Sequence, residues 1–246
     1  MKKLVLHIPH SSVEIPLSDG YVSNQGQINQ EIIKLTDWYT NDLFDSDHDD
    51  KVIAPFSRIF CDVERFSDDE LEVMAKVGMG VLYEKFDNGD LLRIVTPKLK
   101  ELVLKDYYWK HHNMLTKVVK ERLGQFNSCL IVDCHSFPSS PLTRALVQES
   151  NTPDFNIGTD SFHTPSYLIE ESKEFFKSSG LSLGIDTPYS GSIVPMEFYQ
   201  KDKRVTSIML EVNRRLYLNE PTNEKSIGYN KTKEVVQDYL SLLRSL

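Results

Sequence analysis

Three apolar runs of this sequence end on ionisable residues, and this feature most limits what the chain can fold into. The run KLVLHI is followed by His10, the run IVDCHS contains His135, and the run IMLEV carries Glu211. A charged side chain is costly inside a core, so its place at the end of an apolar run indicates that the strand emerges there into a polar site. The pattern predicts buried strands whose ends carry the functional groups.

Helical patterns lie between the apolar runs, which predicts an α/β fold. Helices are expected at residues 28–44, 96–123, 170–179 and 229–245. Short runs rich in β-branched residues predict strands at 3–8, 51–56, 58–63, 79–83, 128–134, 165–169, 181–185 and 206–212. The alternation predicts a three-layer α/β/α sandwich around a mixed, largely parallel sheet, with residues 1–246 forming a single domain.

Composition excludes several classes of function. The formal net charge of −8 argues against a non-specific nucleic-acid binder, which needs a basic face. The apolar run near the N-terminus is too short for a signal peptide, and no stretch approaches the ~20 apolar residues that cross a bilayer. The three cysteines form no C-x-x-C pair. We expect a cytoplasmic protein without nucleic-acid or membrane partners, and the sequence leaves its oligomeric state open.

The strand ends suggest a metal site. Ligands of open α/β sheets bind beyond the carboxyl ends of the strands, so one rim can hold His10, His135 and Glu211. Two neutral imidazoles and a carboxylate are what Zn²⁺ takes when it keeps a position open for water. The third ligand is open between Asp37, on the helix predicted at 28–44, and Glu14, four residues after His10. The alternative is that each histidine is a structural, hydrogen-bonded group.

Acid–base and substrate-binding groups are predicted around the same rim. Glu211 is a candidate for taking a proton from water and passing it to a leaving amine, unless it pairs with a neighbouring arginine. In SRIFCDVERF, a strand would place Asp62 and Glu64 on one face with Arg65 at the exit. Arg58 and Arg65 suit an acidic substrate, because guanidinium groups bind carboxylates bidentately. The alternative is a salt-bridge ladder that does not touch a ligand.

Other residues are expected to be structural or peripheral. His111 and His112 lie in a charged helix and are predicted to be on its surface. Cys134 should face away from His135, because neighbours on a strand point to opposite sides, so these two do not form a Cys–His nucleophile pair. The Pro-, Ser-, Gly- and Thr-rich loops at 137–165 and 186–204 are predicted to cover a cleft.

The sequence resembles the N-formylglutamate amidohydrolase family from residue 8 to residue 218. The stretches that carry the resemblance are IPHSSVEIP, TDWYTNDLF, SRIFCDVERF, VGMGVLY, IVDCHSFP, IGTDSFHTP, PYSGSIVP and IMLEVNRRLYL, in that order. The presence of DCHSFP and LEVNRRLYL in one chain makes the resemblance specific. It implies a zinc-dependent hydrolase with a carboxypeptidase-like α/β fold, related to aspartoacylases and zinc exopeptidases.

The resemblance also implies roles for individual residues. One Zn²⁺ per chain would be held by His10, Asp37 and His135, with Glu14 as the second choice to Asp37; iron, cobalt or manganese also suit such ligands. Glu211 would be the general base and Arg65 a second catalytic residue, while Arg58, Asp62, Arg214 and His163 would contact the substrate. Glu64 stands where the D-L-N-R element of aspartoacylases has asparagine.

The reaction implied is attack of a zinc-bound water on N-formyl-L-glutamate, a small anionic N-acyl amino acid, giving formate and L-glutamate. Such a reaction ends one route of histidine breakdown. Two alternatives remain: a related zinc hydrolase for another N-acyl amino acid or a short peptide, and a catalytically silent binding protein on the same fold. The silent protein would be expected to lack a ligand or the base, whereas His10, His135 and Glu211 are all present.

Overall fold

A six-stranded mixed sheet organises the molecule, whose computed structural model describes residues 3–148 and 151–246. The strands are β1 (Val5–Ile8), β2 (Asp50–Ile53), β3 (Cys129–Phe137), β4 (Phe155–Gly158), β5 (Leu183–Ile185) and β6 (Val205–Asn213). They are arranged in the order β2-β1-β3-β6-β4-β5, and every neighbouring pair is parallel except β4 with β6. The predicted mixed, largely parallel sheet is confirmed.

Helices connect the strands and flank the sheet. They are α1 (Gln25–Leu35), α2 (Thr40–Leu43), α3 (Pro97–Val103), α4 (Trp109–Phe126), α5 (Ser166–Ser178) and α6 (Tyr229–Ser245). A π-helical segment, Leu104–Tyr108, joins α3 to α4, and 3₁₀ turns occur at Val73–Val77 and Arg214–Leu216. A small hairpin, β7 (Leu218–Asn219) with β8 (Glu224–Lys225), precedes α6. None of the helices in the two described stretches is long and apolar enough to cross a bilayer.

The two faces of the sheet pack against different helices because side chains alternate along each strand. Leu6, Val132 and Leu210 belong to a core cluster with α5 and α6, and this cluster also contains Cys134. Val5, Ile131 and Val205, of the opposite parity, pack against Leu115 and Val119 of α4. His135 and Glu211 therefore share the face of α4, and Cys134 points away from them, as the sequence predicted.

The structure corrects several element boundaries. The helix predicted at 28–44 ends at Leu35, where the backbone N–H and the hydroxyl of Thr36 both donate to Ile32 O. The N–H of Asp37 then donates to His10 O (3.0 Å), so Asp37 lies in the connection between α1 and α2. Residues 58–63, predicted as a strand, form turns, and residues 79–83 form an isolated antiparallel bridge between Met79 and Tyr83 instead of a strand. The strand predicted at 165–169 falls at the start of α5, and β4 was missed. These errors fall where long-range contacts override local pattern.

Candidate active site

A cavity of about 550 Å³ lies at the carboxyl ends of β1, β3 and β6. Its walls include Leu142 and Arg144 from one of the two predicted covering loops, and Pro188, Tyr189 and Ile193 from the other. Both loops therefore border the cleft, as the sequence predicted. The strand ends supply the ionisable groups on its floor, which is the usual position for a ligand site in an open α/β sheet.

Three ligand-type side chains converge in this cavity. His10 follows β1, Asp37 lies between α1 and α2, and His135 is near the end of β3; one ligand atom of each lies within 4.8 Å of the other two. Asp37 Oδ2 is 3.2 Å from His135 Nδ1 and 3.6 Å from His10 Nδ1. In the described part of the chain, the buried His10 Nδ1 has no hydrogen-bond partner. Both Nδ1 atoms and one carboxylate oxygen thus face a common point.

Carboxylates hold the opposite sides of both imidazoles. His10 Nε2 lies 2.8 Å from Asp62 Oδ1, and His135 Nε2 lies 3.1 Å from Asp133 Oδ1. A carboxylate that accepts a proton from Nε2 selects the tautomer whose Nδ1 carries a free lone pair, as in histidines that bind metals. We infer this tautomer for the state in which a cation lies beside Asp37 and takes both lone pairs; without a cation, His135 Nδ1 can donate to Asp37 Oδ2 (3.2 Å).

Arg214 orients Asp37. Its Nη2 donates to Asp37 Oδ1 (3.0 Å), its Nη1 to Lys34 O (2.9 Å) and its Nε to Ser136 Oγ (3.3 Å). Burial alone would raise the pKa of Asp37, but the two histidines and Arg214 outweigh it and hold this pKa well below its usual range. Asp37 is therefore anionic. Arg214, predicted to bind substrate, lines the cavity and donates from all three of its guanidinium nitrogens to protein acceptors.

Glu211 carries a buried carboxyl group without a hydrogen-bond donor among the described residues. It pairs with His135 in the register of β3 and β6, and its Oε2 has no hydrogen-bond partner among the described residues. Burial, with a smaller contribution from Asp37, raises the pKa of Glu211 to about 8, although His135, Arg214 and Arg58 oppose the rise. The pairing with Arg214 or Arg215 considered from sequence does not occur: Arg214 contacts Asp37, and Arg215 contacts Asp154.

Two arginines present free donors to the cavity. Arg58 donates through Nη2 and Nε to Asp62, and its Nε also contacts the Tyr83 hydroxyl. Arg65 approaches Asp62 and Glu72 only through Nε, at 3.8 and 4.0 Å. Within residues 3–148 and 151–246, no hydrogen bond uses Arg58 Nη1 or either Nη atom of Arg65. Both side chains line the cavity, so these donors can receive carboxylate oxygens.

Three other predicted residues have different surroundings. Asp62 is fully buried, and its oxygens accept from His10, Arg58, Tyr83 and the Glu64 N–H, so it supports His10 without room for substrate. His163, predicted to contact substrate, is not among the residues that line the cavity; its Nδ1 donates to Val205 O (2.7 Å) and its Nε2 accepts from Gln200 N (2.8 Å), so both ring nitrogens are used in structural hydrogen bonds. Glu14 is exposed and outside the group formed by His10, Asp37 and His135.

A second buried cluster adjoins the first and was missed from sequence. His7 Nδ1 lies 2.8 Å from Asp133 Oδ1 and 3.1 Å from Glu64 Oε1, and His7 Nε2 lies 2.8 Å from His111 Nε2. The predicted surface position of His111 is wrong, since this residue is 6% exposed, and its neighbour His112 contacts Val63 O. Alternation along the strand was the available signal, because Asp133 and His135 are two positions apart and therefore both face α4.

The groups around this cluster shift the pKa values of His7 and His111 in opposite directions. Burial alone would lower the pKa of His7, but Asp133 and Glu64 outweigh it and raise this pKa to about 9. Burial and the neighbouring His7 lower the pKa of His111 to about 2. His7 therefore sits where two carboxylates attract positive charge, while His111 stays neutral and accepts.

Comparisons with known proteins agree with this architecture. A model of the N-formylglutamate amidohydrolase family matches residues 2–218. The fold is similar to an N-formylglutamate amidohydrolase from Ralstonia eutropha JMP134, with a TM-score of 0.86 and 19% identity over 100% of this chain and 94% of that one. A gene product of Agrobacterium tumefaciens is also similar, with a TM-score of 0.63 and 16% identity over 98% and 91% of the two chains. No curated protein matches the sequence directly.

The family match covers most of the chain and includes all the strands of the central sheet. The structural neighbours share the fold at low sequence identity, and the first of them carries the same family name. The protein belongs to the N-formylglutamate amidohydrolase family and is a hydrolase that acts on amides.

Proposed function

We propose that the protein hydrolyses N-formyl-L-glutamate to formate and L-glutamate with the help of one bound divalent metal ion, for which Zn²⁺ is the best candidate. The observation that carries the proposal is the unpaired Glu211 carboxylate beside the convergent atoms of His10, Asp37 and His135. A buried carboxylate without a donor costs free energy unless water or a ligand completes it.

The donor set fits a metal ion of the zinc type. His10, Asp37 and His135 would hold it, since two imidazoles and one carboxylate leave a coordination position open. The orphaned Nδ1 of His10 and the carboxylates behind both histidines support this assignment. When bound, such an ion polarises the carbonyl group and lowers the pKa of water towards ~7.

Glu211 would move the proton. Its carboxylate lies on the strand beside His135 and has no donor in residues 3–148 and 151–246, so it can accept a proton from the attacking water. The same carboxyl group can then deliver this proton to the departing amine nitrogen. A raised pKa suits the delivery of the proton, and a cation held by the neighbouring ligands would favour the ionised form that accepts it.

Arg58 and Arg65 would bind the anionic substrate. Their free Nη donors face the cavity and are held in place through Asp62 and Tyr83. Guanidinium groups of this kind suit the two carboxylates of N-formylglutamate. We assign Arg65 the additional role of stabilising negative charge on the carbonyl oxygen, since its Nε approaches protein carboxylates only at 3.8 and 4.0 Å.

The test is formate release from N-formyl-L-glutamate by purified protein, before and after chelation, together with its metal content. Bound metal with chelator-sensitive formate release is the expected result, and zinc should restore the activity. Glu211→Gln should keep the metal and lose the activity. Absence of metal, together with no formate release after zinc addition, would contradict the proposal.

A second substrate class is favoured by the size of the cavity. About 550 Å³ lies within the range that accommodates drug-sized ligands and exceeds what a formyl amino acid requires. Another N-acyl amino acid or a short peptide is therefore the alternative substrate. A panel that varies the acyl group at constant glutamate separates the two: a formyl-only preference supports the first proposal, and faster release of larger acyl groups supports the second.

A further inference from the structure

We propose that His7, Glu64 and Asp133 form a second site for a divalent metal ion, next to the site formed by His10, Asp37 and His135. His7 Nδ1, Glu64 Oε1 and Asp133 Oδ1 meet within 4.8 Å of one another. His7 and Asp133 are fully buried, and the Glu64 side chain is 15% exposed. One nitrogen and two oxygen ligands suit zinc, manganese, iron or cobalt.

The unpaired atom of this cluster is the main argument. Glu64 Oε1 is buried and has no hydrogen-bond partner within the described stretches, although it is 3.1 Å from His7 Nδ1. A proton on Nδ1 has one direction, and the hydrogen bond of 2.8 Å to Asp133 uses it. A cation between the three atoms would complete both carboxylates at once, which a single proton does not do.

The geometry is compatible with coordination. Bonds of about 2.0–2.2 Å to one ion place neighbouring ligand atoms roughly 3.0 Å apart at octahedral angles and roughly 3.4 Å apart at tetrahedral angles. The two distances from His7 Nδ1 are 2.8 and 3.1 Å. A doubly charged ion would also balance the two carboxylates, whereas a protonated His7 would leave one negative charge in a buried cluster.

The outer contacts follow the rule for histidines that bind metals. With Nδ1 on the ion, His7 would donate its Nε2–H to His111 Nε2, which lies 2.8 Å away. The N–H of Ile193 donates to Asp133 Oδ2 (3.0 Å), so the Asp133 carboxylate is oriented by the protein, and the backbone of Glu64 is held by its N–H, which donates to Asp62 Oδ1 (3.0 Å). Glu64 and Asp133 line the cavity, which provides the entry path for an ion.

The two sites would be linked through Asp133. Its Oδ1 faces both His7 Nδ1 and His135 Nε2, at 2.8 and 3.1 Å. An ion in the second site would therefore fix the carboxylate that orients a ligand of the first. We expect the second ion to tighten the first site in this way.

The test is a count of metal equivalents per chain after dialysis of zinc-loaded protein, by elemental analysis. Wild type should retain two. His135→Ala should retain one, Glu64→Gln and His7→Asn one each, and the double variant His7→Asn/His135→Ala none. Glu64→Gln is nearly isosteric and guards against loss of folding in His7→Asn, and circular dichroism checks every variant.

The outcomes separate the second site from the first. One equivalent in wild type that disappears only in His135→Ala would overturn the proposal and identify His7 as a protonated imidazole. Two equivalents that persist in Glu64→Gln and His7→Asn would also overturn it, because the second ion would then lie elsewhere. One equivalent that survives in His135→Ala and disappears in the double variant would support it. Formate release is not needed for this count, so a failure of the proposed reaction remains distinguishable.

Discussion

Two buried charged regions of this molecule differ in whether their polar atoms have hydrogen-bond partners. In the C-terminal clamp, formed by Asp49, Arg244, Ser46 and the N–H of Leu4, both oxygens of Asp49 accept hydrogen bonds, and Arg244 donates through all three of its guanidinium nitrogens. In the active site, Glu211 Oε2 and His10 Nδ1 have no partner in the described part of the chain. Both regions are buried, so burial does not explain the difference.

The contrast shows what each region is for. The clamp joins the loop before β2 to the end of α6, and its complete set of hydrogen bonds compensates for taking two charges out of water. The active site leaves atoms uncompensated beside a cavity, which lowers stability and makes those atoms available to a ligand. Substitutions should therefore affect function in one region and stability in the other.

The largest expected effect is in the active site. His135→Ala removes one ligand nitrogen and the group that faces Glu211, so formate release should fall to background and the metal of the first site should be lost. Its fold should persist, as measured by thermal unfolding. His48→Ala, at an exposed histidine, is the matched control and should keep activity and metal content. Normal activity in His135→Ala would contradict the assignment of the site.

Glu211→Gln comes next and isolates proton transfer from metal binding. The amide keeps the shape but not the basicity, so kcat should fall by about 10²–10⁴-fold while metal content is unchanged. Because the wild-type carboxylate has no donor in the part of the chain that the structure describes, unfolding should occur at the same temperature or higher. A large loss of stability would show that Glu211 is a structural group, contrary to the comparison.

Arg244→Met tests the clamp. It leaves Asp49 buried without its partner, so the free energy of unfolding should decrease by about 3–5 kcal/mol. Activity per folded molecule should be unchanged, since the clamp lies outside the cavity. Lys173→Met breaks an exposed pair with Glu170 and should change stability by no more than about 0.5 kcal/mol in urea unfolding. Equal changes in the free energy of unfolding of the two variants would contradict the expectation that the buried ion pair stabilises the fold more than the exposed one.

Asp62→Asn should have an effect of intermediate size, because this residue serves both the metal site and the internal hydrogen bonds of the protein. Asp62 supports His10 from behind and also holds Arg58. Loss of its charge should weaken metal affinity by about 10–100-fold, which is typical of carboxylates behind metal-binding histidines. Competition with a chelator of known affinity measures this. An unchanged affinity would mean that the tautomer of His10 does not depend on Asp62.

The smallest effect concerns the pH dependence of the clamp. Burial alone would raise the pKa of Asp49, but hydrogen bonds from Arg244, Leu4 and Ser46 outweigh it and lower this pKa. Its contribution is therefore fully present above the unfolded value of about 3.9 and is lost as pH falls through the lower folded value. The stability difference between wild type and Arg244→Met should narrow below about pH 4. A constant difference down to pH 2 would contradict this.

Local pattern was sufficient to predict the strands that carry the site. β1, β3 and β6 were predicted within a few residues, and the apolar runs alone indicated that His10, His135 and Glu211 lie at their ends. Side chains alternate along a strand, so the pattern also separated Cys134 from His135. The resemblance to the family added Asp37 as a preferred ligand, although its helix was predicted too long at the C-terminal end.

The remaining features depended on contacts between distant parts of the chain. His7 and His111 are in contact although 104 positions separate them in the sequence, and Arg214 contacts Asp37 at a separation of 177 positions. Local sequence spacing therefore predicts neither pair. The sequence by itself determined the mixed sheet and the candidates at its rim, because strand propensity and side-chain alternation are local. Only the tertiary structure decided which of these candidates keep a donor, a lone pair or a carboxylate available for a ligand. That availability depends on the hydrogen-bond partners that folding brings together.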